Sequence, residues 1–249
     1  MQHNTQFLIH SGDKSENIWK YWYYYWKKYW TCSDFIDTVF LCENKQKEFP
    51  GVTFKKTGNV SWATGLINYL ENIDVTYIIY QHEDYFLTEP TNAVMAKSLI
   101  DLCIARDFKM LKCCGHWAGF IDENVPMKKI DINNHDIKND SNGELVKVNE
   151  SDDNIWLYNN YSPYLISHQT SIWNREFLIS TLKHGETPWE HELAGTIRLR
   201  RRNIPVYVYR GKGPFEYCET MVHGNIRPGQ EKYFEVNASP TSSNTEGIK

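Results

Sequence analysis

No apolar run in this 249-residue chain approaches the roughly 20 residues needed to cross a bilayer. The first residues, Met1-Gln-His-Asn-Thr-Gln6, lack the charged region and apolar stretch of a secretory signal, so a cytoplasmic protein is expected. The six cysteines are irregularly spaced, with Cys113 and Cys114 adjacent and no Cys-x-x-Cys pair, which argues against zinc or dithiol chemistry. They read as reduced thiols, several of them buried. A dominant positive charge is also missing. The net charge of −4 offers no basic surface for neutralising phosphates along a polymer, so no nucleic-acid partner is expected.

Aromatic residues, in contrast, are plentiful at 14%. They concentrate in Asn17–Trp30, where Trp19, Trp22/Tyr23, Trp26 and Tyr29/Trp30 recur every three to four residues. That spacing predicts one face of a helix, with Lys20, Lys27 and Lys28 largely on the others. An aromatic platform for sugars or bases is one reading of that face. Packing against a sheet is the favoured one.

Around it the chain alternates. Strands are predicted at Thr5–His10, Phe35–Leu41, Val52–Lys56, from Val75 onward, at Met110–Cys114 and at Ile204–Tyr209. Tyr164–Ser167 reads as extended. Helices are predicted at Ser61–Asn72 (Leu66, Ile67 and Leu70 inward), Thr91–Arg106 (apolar Val94, Leu99, Leu102, Ile104), Asn174–Leu182 and Trp189–Arg202. The last is preceded by Pro188, opens with Glu190 and Glu192, and closes with Arg198 and Arg200 to Arg202, which suits the helix dipole. The expected fold is a single α/β domain over residues 1–236: a mixed, mostly parallel, Rossmann-like sheet flanked by helices. Residues 121–154 are polar and carry the Asn142-Gly143 turn signal, predicting a loop or hairpin insertion, and 237–249 read as a disordered tail.

The run Val75-Thr-Tyr-Ile-Ile-Tyr-Gln81 ends abruptly in His82-Glu83-Asp84. Ligands in open α/β sheets bind beyond the carboxyl ends of strands. An imidazole and two carboxylates there suit Mg²⁺ or Mn²⁺; the bland alternative is a polar turn. Three further clusters stand out: Ser11-Gly12-Asp13, Glu186-Thr-Pro-Trp-Glu-His-Glu192 and His223-Gly-Asn-Ile-Arg227. A carboxylate at a helix start can serve as a general base, His223 as a further metal ligand, and Arg227 as a diphosphate clamp. Two motifs fail on a missing residue. Asp131–Glu144 has Asp136 where a calcium loop needs glycine, and His191-Glu-Leu-Ala-Gly195 lacks the second histidine of a zinc-protease helix.

Taken together, Ser11-Gly-Asp13, Trp19, Ser61-Trp62, Glu83-Asp-Tyr-Phe-Leu87, Gln169-Thr-Ser-Ile-Trp173 and Gly185-Glu-Thr-Pro-Trp-Glu-His-Glu192 resemble nucleotide-sugar-dependent glycosyltransferases of the GT-A fold. The likeness is to small bacterial and large-DNA-virus members, covers most of Phe7–Gly229, and in the viral case implies the host cytoplasm. It implies a nucleoside-diphosphate sugar donor, with a UDP-sugar favoured, a glycan or glycoconjugate acceptor, and Mn²⁺ or Mg²⁺ at Asp84, with His82 and His223 as further ligands. His82 departs from the acid usual at that position. Ser11, Asp13, Trp62, Glu83 and Arg227 are then expected on the donor side. His168, Gln169 and Trp189 are expected at the sugar or acceptor, and Glu190 or Glu192 as the base of an inverting transfer. Trp62 and Trp189 read equally well as core. Acids at a helix start also have a purely structural role. Retention, a nucleotide-sugar-forming nucleotidyltransferase and a non-catalytic glycan-binding module stay open as alternatives. The second is disfavoured by the absence of a Gly-rich, basic phosphate loop after the first strand.

Overall fold

The computed structural model describes residues 5–113, 155–158, 160, 162, 164–209 and 211–238, with the backbone of 128–129 and 146–147. Strands form where β-branched and aromatic residues alternate between two apolar faces. In β1 (Thr5–His10), Phe7 and Ile9 face one side and Leu8 the other. In β4 (Tyr77–His82), Tyr77 and Ile79 share the side of Phe7, while Ile78 and Tyr80 share that of Leu8. Burial of each such side chain contributes about 1.5–3 kcal/mol, so this two-faced run cannot slip by one residue cheaply.

The sheet has the order β3-β2-β1-β4-β10-β6-β11-β9-β8-β7. β3 (Val52–Lys56), β2 (Asp37–Cys42), β1 and β4 are mutually parallel. β10 (Ser171–Asn174) runs antiparallel between β4 and β6 (Met110–Lys112). β11 (Val206–Tyr209) is parallel to β6, and β9 (Ile155–Tyr158) antiparallel to β11. β7 (Lys128–Lys129) and β8 (Val146–Lys147) extend that edge. They are the part of the polar 121–154 insertion within the described residues. The predicted tail lies outside them from residue 239 on.

Helices α1 (Glu16–Tyr29) and α3 (Ala93–Ala105) cover one face. α2 (Trp62–Glu71), α4 (Arg175–Thr181) and the helix α5 (Pro188–Glu190) to α6 (Thr196–Arg202) cover the other. α1 behaves as a core helix: Trp19, Trp22, Tyr23 and Trp26 are buried, and Trp19 and Trp22 both meet Phe40 edge-on near 5 Å. This is the mixed, mostly parallel, helix-flanked sheet of the GT-A type, in one domain.

Several boundaries differ from expectation. β2 starts at Asp37, because the Phe35 and Ile36 N–H groups turn back onto the Cys32 carbonyl. α3 starts at Ala93, capped by Asn92, and buries Ala96, Leu99, Ile100 and Cys103. Val94, one turn before Ser98, faces solvent at 79% exposure. Tyr164–Ser167 is a buried irregular loop rather than a strand, tied down where the Ile166 N–H meets the Thr196 hydroxyl at 3.0 Å. The last long helix is not uniform. A π turn, His191–Gly195, separates α5 from α6.

Candidate active site

The parity that sorts the core also loads one strand edge with polar rings. His10 and His82 are the last residues of β1 and β4, paired across the sheet and on the face of Leu8 and Tyr80. The His10 Nδ1 lies 3.2 Å from the Tyr80 hydroxyl. Ser61 caps α2 through the Thr64 N–H, and Gly65 permits the close approach of α2 to Thr57, whose Cβ lies 2.7 Å from where a side chain would begin. So anchored, the first helical residue, Trp62, enters the cluster. Its ring lies 5.5 Å from His10, 6.2 Å from His82, 4.8 Å from His168 and 5.5 Å from His191.

The third and fourth imidazoles come from the loop before β10 and from the π turn. His168 Nε2 and His191 Nδ1 are 2.9 Å apart, and His191 Nε2 is 3.0 Å from the Thr181 hydroxyl. A Cβ on Gly195 would approach His191 Cδ2 and Ile166 Cδ1 at 3.1 Å, so glycine leaves room for the buried ring. Single π turns recur at functional sites. Here the turn lets His191 point inward while its neighbour Glu192 reaches the loop. The Glu192 Oε1 accepts the His168 backbone N–H at 2.8 Å and lies 3.7 Å from His168 Nδ1.

Burial dominates the electrostatics. It lowers the pKa of His10 to about 3, of His82 to about 4 and of His191 to about 3; the neighbouring His82 adds to the first, and Arg198 and then His82 to the third. His168 is likewise held well below the usual range. All four are neutral at pH 7. Burial raises Glu192, with the His168 N–H partly offsetting it. In the turn between β4 and β5 (Tyr85–Leu87), burial and then the neighbouring Glu83 push Asp84 up to about 8. Glu83 is raised too, eased by hydrogen bonds from Ser15 and Ser11. Perturbed groups gathered at one strand edge are a signature of functional sites.

The predicted site residues divide accordingly. Trp62, His82, His168, Glu192 and Asp84 come together at the edge formed by β1 and β4. Two buried atoms there, His82 Nε2 and Asp84 Oδ1, have no hydrogen-bond partner. The Ser11 hydroxyl accepts the Trp19 indole N–H at 2.7 Å. The Asp13 carboxylate accepts the backbone N–H groups of Asn44 and Lys45. The Glu190 carboxylate closes a capping box with Thr187. Trp189 is 57% exposed, edge-on to Tyr164. Gln169 is half-buried, and its backbone carbonyl accepts the Ser171 hydroxyl. Arg227 pairs with Glu219, and His223 is exposed in the turn joining β13 (Met221–Val222) to β14 (Asn225–Ile226).

No group of three or more His, Cys, Asp or Glu able to hold a metal ion exists among the described residues. Of the expected ligands, Asp84 and His82 lie at the β1–β4 edge and His223 lies in the exposed β13–β14 turn. The His82 ring packs 5.7 Å from Tyr80 and 4.7 Å from His168.

His10, Tyr80, His191 and Thr181 belong to the cluster without having been singled out. His10 carried the same signal as His82, the last position of a predicted strand. His191 was weighed only as the first histidine of a zinc-protease helix whose second is missing.

The class defined by the fold is thus α/β of the GT-A type. A crystal structure of Staphylococcus aureus TarS 1–349 in complex with UDP superimposes with a TM-score of 0.50 at 10% identity, over 86% of this chain and 59% of that one. The same protein with UDP-GlcNAc gives 0.49 at 11% identity, over 86% and 57%. A cytidylyltransferase from Leptospira borgpetersenii gives 0.47 at 9% identity, over 88% and 82%. The chain spans less than two thirds of the TarS chains it matches. No protein-family model matches it, and neither does any curated protein. Among the described residues no helix is long and apolar enough to cross a membrane.

Proposed function

We propose that the chain is a glycosyltransferase that moves a sugar from a nucleoside-diphosphate sugar, UDP-linked in the favoured case, to a hydroxyl of a glycan acceptor with inversion. The observation that carries this reading is Glu192: a largely buried carboxylate of raised pKa, fixed by the His168 N–H, near the unpartnered His82 Nε2 at the end of β4 and Asp84 Oδ1 in the turn after it. A base for a hydroxyl works best when its pKa has been moved toward neutrality. Glu190 is the weaker candidate, because its carboxylate is already committed to the helix cap.

In the step so assigned, Glu192 takes the acceptor hydroxyl proton while the oxygen bonds to the anomeric carbon. The bond from that carbon to the diphosphate oxygen breaks, and its electron pair leaves with the nucleoside diphosphate. Trp62 supplies a flat apolar wall, and the neutral imidazoles line the edge without adding charge. No step is assigned to Mn²⁺ or Mg²⁺.

The test is thermal-shift screening against UDP-, GDP-, dTDP- and CDP-sugars with and without Mn²⁺, since a ligand that binds the native state raises its stability. A rise with one nucleotide is expected. The absence of a rise with all of them overturns the reading. Glu192→Gln is expected to keep the donor shift and lose transfer by about 10²–10⁴-fold.

A further inference from the structure

The Thr181 hydroxyl has one proton, and its oxygen lies 2.7 Å from the Leu178 carbonyl. A carbonyl has no proton to give, so a contact that short consumes the hydroxyl's own. Toward His191 Nε2, 3.0 Å away, the oxygen is then an acceptor, and that nitrogen carries a proton. A neutral imidazole has only one N–H, so His191 Nδ1 is bare. It accepts from His168 Nε2 at 2.9 Å. By the same rule His168 Nδ1 is bare, and it is the nitrogen that faces Glu192 Oε1 at 3.7 Å. Four residues from three separate segments are thereby set in one direction by a hydroxyl on α4.

We infer that Thr181 is a positioning residue: through His191 and His168 it presents a lone pair to Glu192, so that the proton Glu192 takes up has an acceptor waiting. The functional half of this inference rests on the transfer reading above. The carboxylate receives the acceptor's proton, and the new O–H turns onto His168 Nδ1 as the glycosidic bond forms. No further proton moves, because the chain ends at a hydroxyl already spent on a carbonyl. The arrangement is the reverse of an imidazole N–H orienting a carboxylate. It favours the protonated base rather than the resting one.

The groups facing this chain from neighbouring elements leave its direction intact. His82 and Tyr80 on β4 meet His168 through ring faces and edges, at 4.7 and 5.7 Å. His10 on β1 is bonded to Tyr80 instead. The Lys112 ammonium on β6 donates to the Tyr164 carbonyl at 2.6 Å. Arg198, on the helix of His191, donates to Glu186 and to the Thr181 carbonyl. Asp84 stands in the β4–β5 turn near Glu192 and supplies no atom to the chain.

The direct test is nitrogen-15 NMR of the full chain labelled at histidine, at pH 7, with signals assigned through His168→Gln and His191→Gln. His168 and His191 are expected as neutral rings protonated at Nε2. Finding either protonated at Nδ1 overturns the inference before any Thr181 variant is made. Thr181→Val removes the hydroxyl at nearly constant volume, and Thr181→Ser keeps it. The valine form is expected to lose the single tautomer at His191 and His168 and to lower kcat by about tenfold, the scale of one lost hydrogen bond, with donor KM unchanged. The serine form is expected to restore both. Unchanged tautomers in Thr181→Val sink the inference whatever the activity. If the tautomers switch while wild type transfers no sugar from any donor, the chain stands and the transfer reading falls.

Discussion

The two faces of the sheet are both rich in rings, and they are built for opposite purposes. On the α1 face the rings are indoles, phenols and phenyls, packed in pairs such as Phe7 on Trp30 at 4.4 Å and Tyr23 on Phe49 at 4.3 Å. On the α2 face, at the ends of β1 and β4, four imidazoles surround one indole and adjoin three carboxyls of raised pKa. Aromatic density therefore does not mark a site. Nor does a lone unpartnered polar atom, since the indole nitrogens of Trp26 and Trp30 lack partners in the inert face too. What distinguishes the second face is convergence: donors, acceptors and titratable groups from five segments meet at one strand edge.

The largest effect expected separates the faces by stability. Trp19 is fully buried and donates to Ser11. Trp19→Ala should cost about 3–5 kcal/mol in denaturant unfolding, through lost burial and a cavity. It should leave nucleotide affinity of the folded fraction unchanged. A loss of affinity larger than the loss of stability would make α1 part of the site.

The second separates them by pH. Each imidazole of the cluster has its folded pKa below the unfolded value of 6.5, to about 3 for His10 and His191 and about 4 for His82. Below pH 6.5 the unfolded chain binds protons the folded one refuses, so stability falls as pH falls, by about 1.4 kcal/mol per pH unit for each such ring. Asp84 has the opposite sign: its folded pKa is raised from 3.8 to about 8, so stability falls as pH rises through that window. Glu83 and Glu192 act in the same direction. Four rings outweigh three carboxyls below 6.5, and only the carboxyls act above it. Thermal stability should therefore peak near pH 6.5. A plateau extending unbroken from pH 5 to 8 would show that the cluster is not buried as a neutral unit.

Part of this contrast was legible in the chain. The aromatic spacing of α1 shows which face is core, and the β-branched run before His82 shows where a strand must stop. The acids at the start of the last helix pointed to Glu190 and Glu192 together. Their separation was not legible, because it depends on Thr187 folding back onto Glu190 and on the π turn after it. No local pattern in His191-Glu-Leu-Ala-Gly195 announces a π turn. Thr181 was invisible for a similar reason, since its role follows from a carbonyl three residues earlier and a ring on another helix.

Gly195 tests the π turn at intermediate cost. A methyl group there meets His191 and Ile166 at 3.1 Å, closer than most packed carbons. Gly195→Ala should destabilise by about 1–3 kcal/mol, as overpacking does, and should move the His191 ring. The expected NMR signature is a shifted His191 resonance with α1-face aromatic signals in place. A silent substitution would mean that the ring has more room than the contacts imply.

The smallest effect concerns the two glutamates, and it decides how their contrast is read. Glu190 is exposed, its pKa is lowered first by the Thr187 backbone N–H, and its oxygens are spent on the cap. Thr187→Ala should cost about 1 kcal/mol of stability by removing that cap. Glu190→Ala should leave transfer within about threefold, as surface changes away from a site do. Both measurements pair with Glu192→Gln, which should spare stability and remove turnover. If Glu190→Ala instead abolishes transfer while Glu192→Gln does not, the burial and raised pKa of Glu192 mark a structural carboxyl, and the base lies on the exposed side of the helix start.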